Sequence, residues 1–320
     1  MTARAVAPPD SWTGGAPHGG TAASARAELF RALGMLVEPP VPAHREVASA
    51  LGLDGAASPA DHADVFLFAA YPYASVYLGA EGMLGGEARD RVAGFWRALG
   101  FTPPAEPDHV SALFGLYAAL LDSEVAAQHA GSSARAALRR QSRHALLWEH
   151  LLPWMVPWLA KVIEIAPPSY ASWARLVADA LQREAAELGP PATMPLALRE
   201  APALPDDAAE RGDWIAALLA PARSGVLLLR PDLQRAARDL GLGLRAGERA
   251  FMLRGLLEQD PTAMADWLVA EATRWANDHG RLVPASGPIA SFWRQRAADC
   301  AAAITRARPG QGRAGPSDGG

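Results

Sequence analysis

Apolar residues recur along this chain at intervals of three and four, the spacing that lines one face of an α-helix. Leu29, Leu33 and Leu36, with Phe30 and Val37 beside them, make the first such stripe. Val92, Phe95, Trp96 and Leu99 make a second, and Val110, Leu113, Phe114, Tyr117, Leu120 and Leu121 a third. Trp173, Leu176, Val177, Ala180, Leu181 and Leu188 repeat the pattern. Strict alternation, the mark of a half-buried strand, is almost absent. The best strand candidate, Val226–Leu229, is too short to carry a sheet. The pattern predicts an all-α protein.

Past residue 212 it predicts further helices. Trp214–Leu219 begins one, and Pro231–Leu240 follows with proline at a helix start, where its missing N–H is harmless. Gly241 and Gly243 stop that helix and Gly247 opens the next; two more cover about Pro261–Asn277 and Ile289–Arg306. Between the two helical stretches, residues 190–212 are proline-rich and aperiodic and read as a linker. The terminal stretches 1–22 and 306–320, rich in Gly, Pro, Ser and Ala, read as disordered tails. The resulting division is a helical domain over 23–189, the linker, and a C-terminal helical region over 213–305.

Composition narrows the chemistry. Half of the 320 residues are hydrophobic, enough for a sizeable core, and the net charge of −4 offers no general surface for nucleic acid or anionic membrane. Of 30 basic residues only Lys161 is a lysine. Cys300 is the one cysteine, so neither an internal disulfide nor a thiolate cluster can form. The first twenty residues lack an apolar signal core and a twin-arginine pair. The richest apolar stretch, Leu146–Ala166, is interrupted by Glu149, His150, Pro153, Pro157, Lys161 and Glu164, and reads as a buried helix pair. No HExxH pair or phosphate loop is present, and Gly241-x-Gly243-x-x-x-Gly247 has neither the strand nor the spacing of a dinucleotide site. No metal site is expected, and no catalytic residue is nominated.

The informative segment is Glu106-Pro107-Asp108-His109 immediately before the third stripe. It reads as a helix start, with Asp108 as N-cap and His109 kept neutral by the positive end of the helix dipole. Upstream stands Tyr71-Pro72-Tyr73-Ala74-Ser75-Val76-Tyr77-Leu78; then comes a helix closing on Phe95-Trp96-Arg97-Ala98-Leu99-Gly100. Downstream is Trp148-Glu149-His150-Leu151-Leu152-Pro153-Trp154. In order and spacing these segments, spread over residues 24–188, resemble the TorD/DmsD/NarJ family of molybdoenzyme maturation chaperones. Residues 200–300 extend beyond that resemblance.

The resemblance implies a TorD-like helical bundle with an appended C-terminal helical lobe. It implies a cytoplasmic, non-enzymatic chaperone, monomeric or a domain-swapped dimer. Its expected partner is an apo-molybdoenzyme with a twin-arginine signal peptide, held until the molybdopterin cofactor enters the client; the chaperone needs no cofactor of its own. Capture of such a peptide calls for aromatics beside carboxylates. Tyr71, Tyr73, Tyr77, Trp96, Glu106, Asp108 and His109 are the candidates, with Glu81 nearby in sequence. Arg139, Arg140 and Arg143, on one predicted helix with Arg135 and His144, read either as a solvated face or as a contact to an acidic patch of the client or to the pyrophosphates of its cofactor. A competing reading takes 231–259 as a DNA-binding helix-turn-helix, but between 231 and 260 five arginines are cancelled by five carboxylates. A third, a helical enzyme built on Asp108 and His109, would need partners from elsewhere in the chain, since neighbours in a helix do not face one another.

Overall fold

Each apolar stripe forms a helix that turns the stripe inward. The computed structural model describes residues 22–205 and 210–307, and the described residues hold helices and no strand. The first half runs α1 (Ala22–Met35), α2 (Pro42–Ala50), α3 (Pro59–His62, extended by a π-turn over Ala63–Leu67), α4 (Ala74–Leu78), α5 (Gly86–Ala98), α6 (Val110–His129), α7 (Ser133–Ala145), α8 (Leu152–Ile165) and α9 (Pro168–Leu188). The second runs α10 (Leu196–Arg199), α11 (Arg211–Leu219), α12 (Pro221–Ser224), α13 (Arg230–Leu240), α14 (Arg249–Gln259), α15 (Pro261–Asp278) and α16 (Gly287–Arg306). Except at their inner edges, the expected tails lie outside the described residues. Val226–Leu229 is a buried connection between α12 and α13, not a strand.

The bundle is built around α6. This helix is long and apolar enough to cross a membrane, but Leu113, Phe114, Tyr117, Leu120 and Leu121 are all buried against other helices. α1 packs along it closely because Gly34 faces Phe114 and the Ser111 backbone; a Cβ there would meet Phe114 Cβ at 3.3 Å. α7 and α8 are joined by a π-turn over Leu146–Leu151, and the apolar stretch expected as a buried helix pair is buried from Leu146 to Val162 except at the half-buried Glu149 and Ala160. Pro157 within α8 has no N–H to give to the Pro153 carbonyl. That carbonyl is taken instead by Trp293 Nε1 of α16, at 2.9 Å. A sequence defect in one helix thus becomes the attachment point of another.

One apolar core runs from Ala27 to Ile304. α12 packs on α4 and α16, and α16 on α8. Gly225 sits so near α16 that a Cβ would fall 2.2 Å from the Ala297 nitrogen, and its φ of +73° also favours glycine. The stretch read as a linker holds α10, in which Leu198 is buried; Leu196 N–H donates to the Glu149 carboxylate at 2.8 Å, and Arg296 donates to the Ala201 carbonyl at 2.6 Å. In the segment read as helix-turn-helix, Arg249 points inward and donates to the Leu228 carbonyl at 2.9 Å.

Two buried histidines make the fold sensitive to acid. Burial pushes the pKa of His150, beside Phe95, and of His279, between Trp275 and Trp293, down from 6.5 to about 4. Between those values the unfolded chain binds protons that the folded chain refuses, so stability is full above pH 6.5 and declines as pH falls toward 4. Each histidine contributes on the order of 3 kcal/mol across that window. The urea midpoint is expected to fall steadily from pH 7 to 4.5, and less steeply in His150→Gln. A midpoint unchanged over that range would contradict this account.

Candidate functional site

The segments Tyr71–Tyr77 and Glu106–Val110 are clasped together. Ala74 N–H donates to the Asp108 carbonyl at 3.1 Å and Val110 N–H to the Pro72 carbonyl at 3.0 Å, an isolated antiparallel bridge between Tyr73 and His109. Asp108 was expected to cap its own helix. Instead it is buried, and its carboxylate accepts from Ser75 N–H at 3.0 Å, in the first turn of α4. The cap of α6 is His109, whose Nδ1 accepts from Ser111 N–H at 3.2 Å. The correction has a plain cause: α4 is a five-residue helix whose first N–H groups are buried, and the loop before α6 brings the nearest acceptor.

Asp108→Ala would leave Ser75 N–H buried without an acceptor, a cost of about 1–3 kcal/mol. Asp108→Asn keeps an acceptor oxygen and is expected to cost much less. Thermal melts of the two variants check this; equal melting points would show that the bond is dispensable.

Around the clasp the nominated residues separate into exposed and structural groups. Glu106 is exposed and accepts from Tyr73 OH at 2.8 Å; Tyr73 is half-buried, its ring edge-on to His109 at 4.8 Å. Burial first, then Glu106, raises the Tyr73 pKa, so its hydroxyl stays protonated and donates. Trp96 is half-buried, its Nε1 donating to the Pro107 carbonyl at 3.3 Å. Tyr71 is half-buried and its carbonyl accepts from Tyr77 OH at 2.9 Å. Tyr77 itself is fully buried and stacks on Trp154 at 5.5 Å, so it leaves the set of surface candidates and acts as a core residue.

His109 lies beside two partners that the sequence did not nominate. Ser111 Oγ is 2.7 Å from Nδ1 and reaches the Glu38 carboxylate, which stands 3.6 Å from the ring nitrogen. Burial lowers the His109 pKa, against the pull of Glu38, Glu106 and Asp108, so the ring is neutral near pH 7. Glu38 belongs to the connection after α1, more than seventy residues away in sequence, and no local signal marks it.

The nominated arginines also separate. Arg143 is fully buried in ion pairs with Glu124, Glu184 and Glu187, which excludes both a solvated face and a client contact for it. Arg140 pairs with Glu187 at 3.1 Å while half-exposed. Arg139 is half-buried on the same helix. The clasp as a whole offers one exposed carboxylate beside half-buried aromatic rings, an arrangement suited to holding a cationic group next to apolar surface.

The carboxylates Glu164, Asp232 and Glu271 gather closely enough to hold a metal ion, but Lys161, Arg235 and Arg274 already lie among them. Burial alone would raise Glu271; the bond from Arg274 and the neighbouring cations hold it below the ordinary carboxylate range.

No curated protein matches this chain. The family model described as nitrate reductase delta subunit matches residues 44–160, from α2 into α8, which includes both halves of the clasp and the π-turn before α8. With its all-helical bundle and that match, the chain is similar through residues 44–160 to the nitrate reductase delta subunit family, the NarJ/TorD-type chaperones.

Proposed function

We propose that this protein is a cytoplasmic maturation chaperone for a molybdenum-cofactor oxidoreductase. It binds the apo-enzyme and its twin-arginine signal peptide, and holds them until the cofactor is in place. The observation that carries the reading is the clasp: within the family-matched segment, exposed Glu106 stands beside Tyr73 and Trp96, ready to pair with a guanidinium flanked by apolar residues. A binding role is also favoured by the groups that could otherwise react. The Nδ1 of His109 is engaged in capping α6, and Cys300 is buried with its thiol pushed up to about 12. The molybdopterin belongs to the client, and this chain contributes recognition alone.

The test is calorimetric titration of the whole protein with twin-arginine signal peptides of molybdoenzymes, with Lys-Lys peptides as controls. Binding to one peptide is expected, about tenfold weaker in Glu106→Gln, which loses the charge of an exposed side chain and leaves the core untouched. Asp108→Ala is a poor probe, because it also removes the cap of α4. Failure of every peptide to bind would overturn the signal-peptide reading.

A further inference from the structure

At the C-terminal end of α4 lies a groove enclosing about 410 Å³. One wall is the α4–α5 connection and the start of α5; the other is the stretch Ala197–Pro202, at and after α10. The first wall lies inside the family-matched segment and the second well outside it. At the lip, Met83 and Leu84 are 64% and 55% exposed, among the most exposed large apolar side chains of the described residues. The lining carries three carboxylates, Glu81, Glu87 and Glu200, against one cation, Arg91. Arg91 spans the walls, 3.0 Å from Glu87 and 3.1 Å from Glu200. Glu81 is exposed and has no ion pair among the described residues. The groove is tied to the clasp through one side chain: Asp108 accepts from Ser75 N–H, and Ser75 Oγ accepts from Gly85 N–H at 3.1 Å.

We propose that this groove binds a peptide segment in which cationic residues adjoin an apolar run, and that Ala197–Pro202 sets which segment fits. The proposal rests on the chaperone reading for the source of the peptide. The charge balance of the lining selects the partner: an acidic segment would meet Glu81, Glu87 and Glu200, whereas a cationic one pairs with Glu81 and shares the carboxylates now held by Arg91. Met83 and Leu84 supply apolar contact that water now covers. Because the second wall comes from chain beyond the matched segment, it is the part of the groove free to differ in shape from protein to protein with the same core.

The experiment uses the whole protein and a twin-arginine signal peptide carrying benzoylphenylalanine in its apolar run. Binding is measured for wild type, for Met83→Ser/Leu84→Ser and for Glu200→Lys, with Glu258→Lys, at an exposed side chain of α14, as a control. Photo-crosslinks are mapped by mass spectrometry. The altered side chains are exposed, and circular dichroism and thermal melts verify that each variant is folded. Crosslinks are expected at 79–88 and 197–202, with at least tenfold weaker binding in the double serine variant and in Glu200→Lys, and none lost in the control. If wild type binds and both groove variants stay within twofold of it, the groove is overturned while the chaperone reading stands. If wild type binds no peptide, both fall.

Discussion

Replacing Arg143 by methionine is expected to destabilise the protein by about 3–5 kcal/mol, the usual cost of stranding buried carboxylates without their partner. Arg143 has no exposed surface. Its Nε donates to Glu124 at 3.1 Å and its terminal nitrogens reach Glu184 and Glu187, so one side chain on α7 fastens α6 and α9. Tyr117 adds its hydroxyl to Glu184 at 2.6 Å, and Arg26 of α1 reaches the same carboxylate at 3.2 Å. Truncation would leave Glu184, also buried, with too few donors. Urea unfolding of Arg143→Met measures the loss. The double variant Arg143→Met/Glu184→Gln, which removes the stranded charge, is expected to recover part of it. A loss below about 1 kcal/mol would mean that water replaces the guanidinium at no cost, as at an exposed pair.

The second large effect is expected at Lys161, the single lysine of the chain. Its buried ammonium donates to Asp232 at 2.8 Å and to Glu164 at 3.0 Å, lies 4.0 Å from Glu271, and sits 5.0 Å above the ring of Trp275. Asp232 in turn accepts from Leu229 N–H at 2.8 Å at the start of α13. The ammonium therefore joins α8 to α13 and α15, the two halves of the chain. Lys161→Met is expected to cost about 3 kcal/mol, at the low end for a broken buried pair because Arg235 and Arg274 remain beside the carboxylates. Hydrogen exchange gives the more specific readout: amides of α13 and α15 should exchange faster while α1 and α6 keep their protection. Uniform acceleration across the chain would show that the ion pairs of Lys161 support the whole fold rather than the junction.

Both predictions concern residues whose surroundings the sequence did not disclose. Arg143 stands in an arginine-rich helix, and a run of that composition has the signature of a solvated face. Its burial depends on carboxylates 19 and 41 residues away meeting it, a coincidence of helix phase and packing angle. Lys161 interrupts an apolar run, a position that reads as a break in a hydrophobic stretch until Asp232 arrives from 71 residues further on.

What the sequence determined by itself was the class of structure and the place to look. Stripes at i, i+3 and i+4 dictate helices because burial of one face is what stabilises them. Proline starts and glycine stops set the limits of α13 closely, since both act through the local backbone. The segment 106–109 was legible as a helix start with a neutral histidine, and its resemblance agreed with the family found over 44–160. Tertiary structure decided which residue does what. It gave the cap of α6 to His109 and sent Asp108 to α4, buried Tyr77 while leaving Glu106 in solvent, and folded the proline-rich stretch against Glu149 and Arg296 to make one wall of a groove. Local pattern fixes what a residue prefers. Burial and partnership depend on which distant segment arrives beside it, and that is settled only when all the helices pack at once.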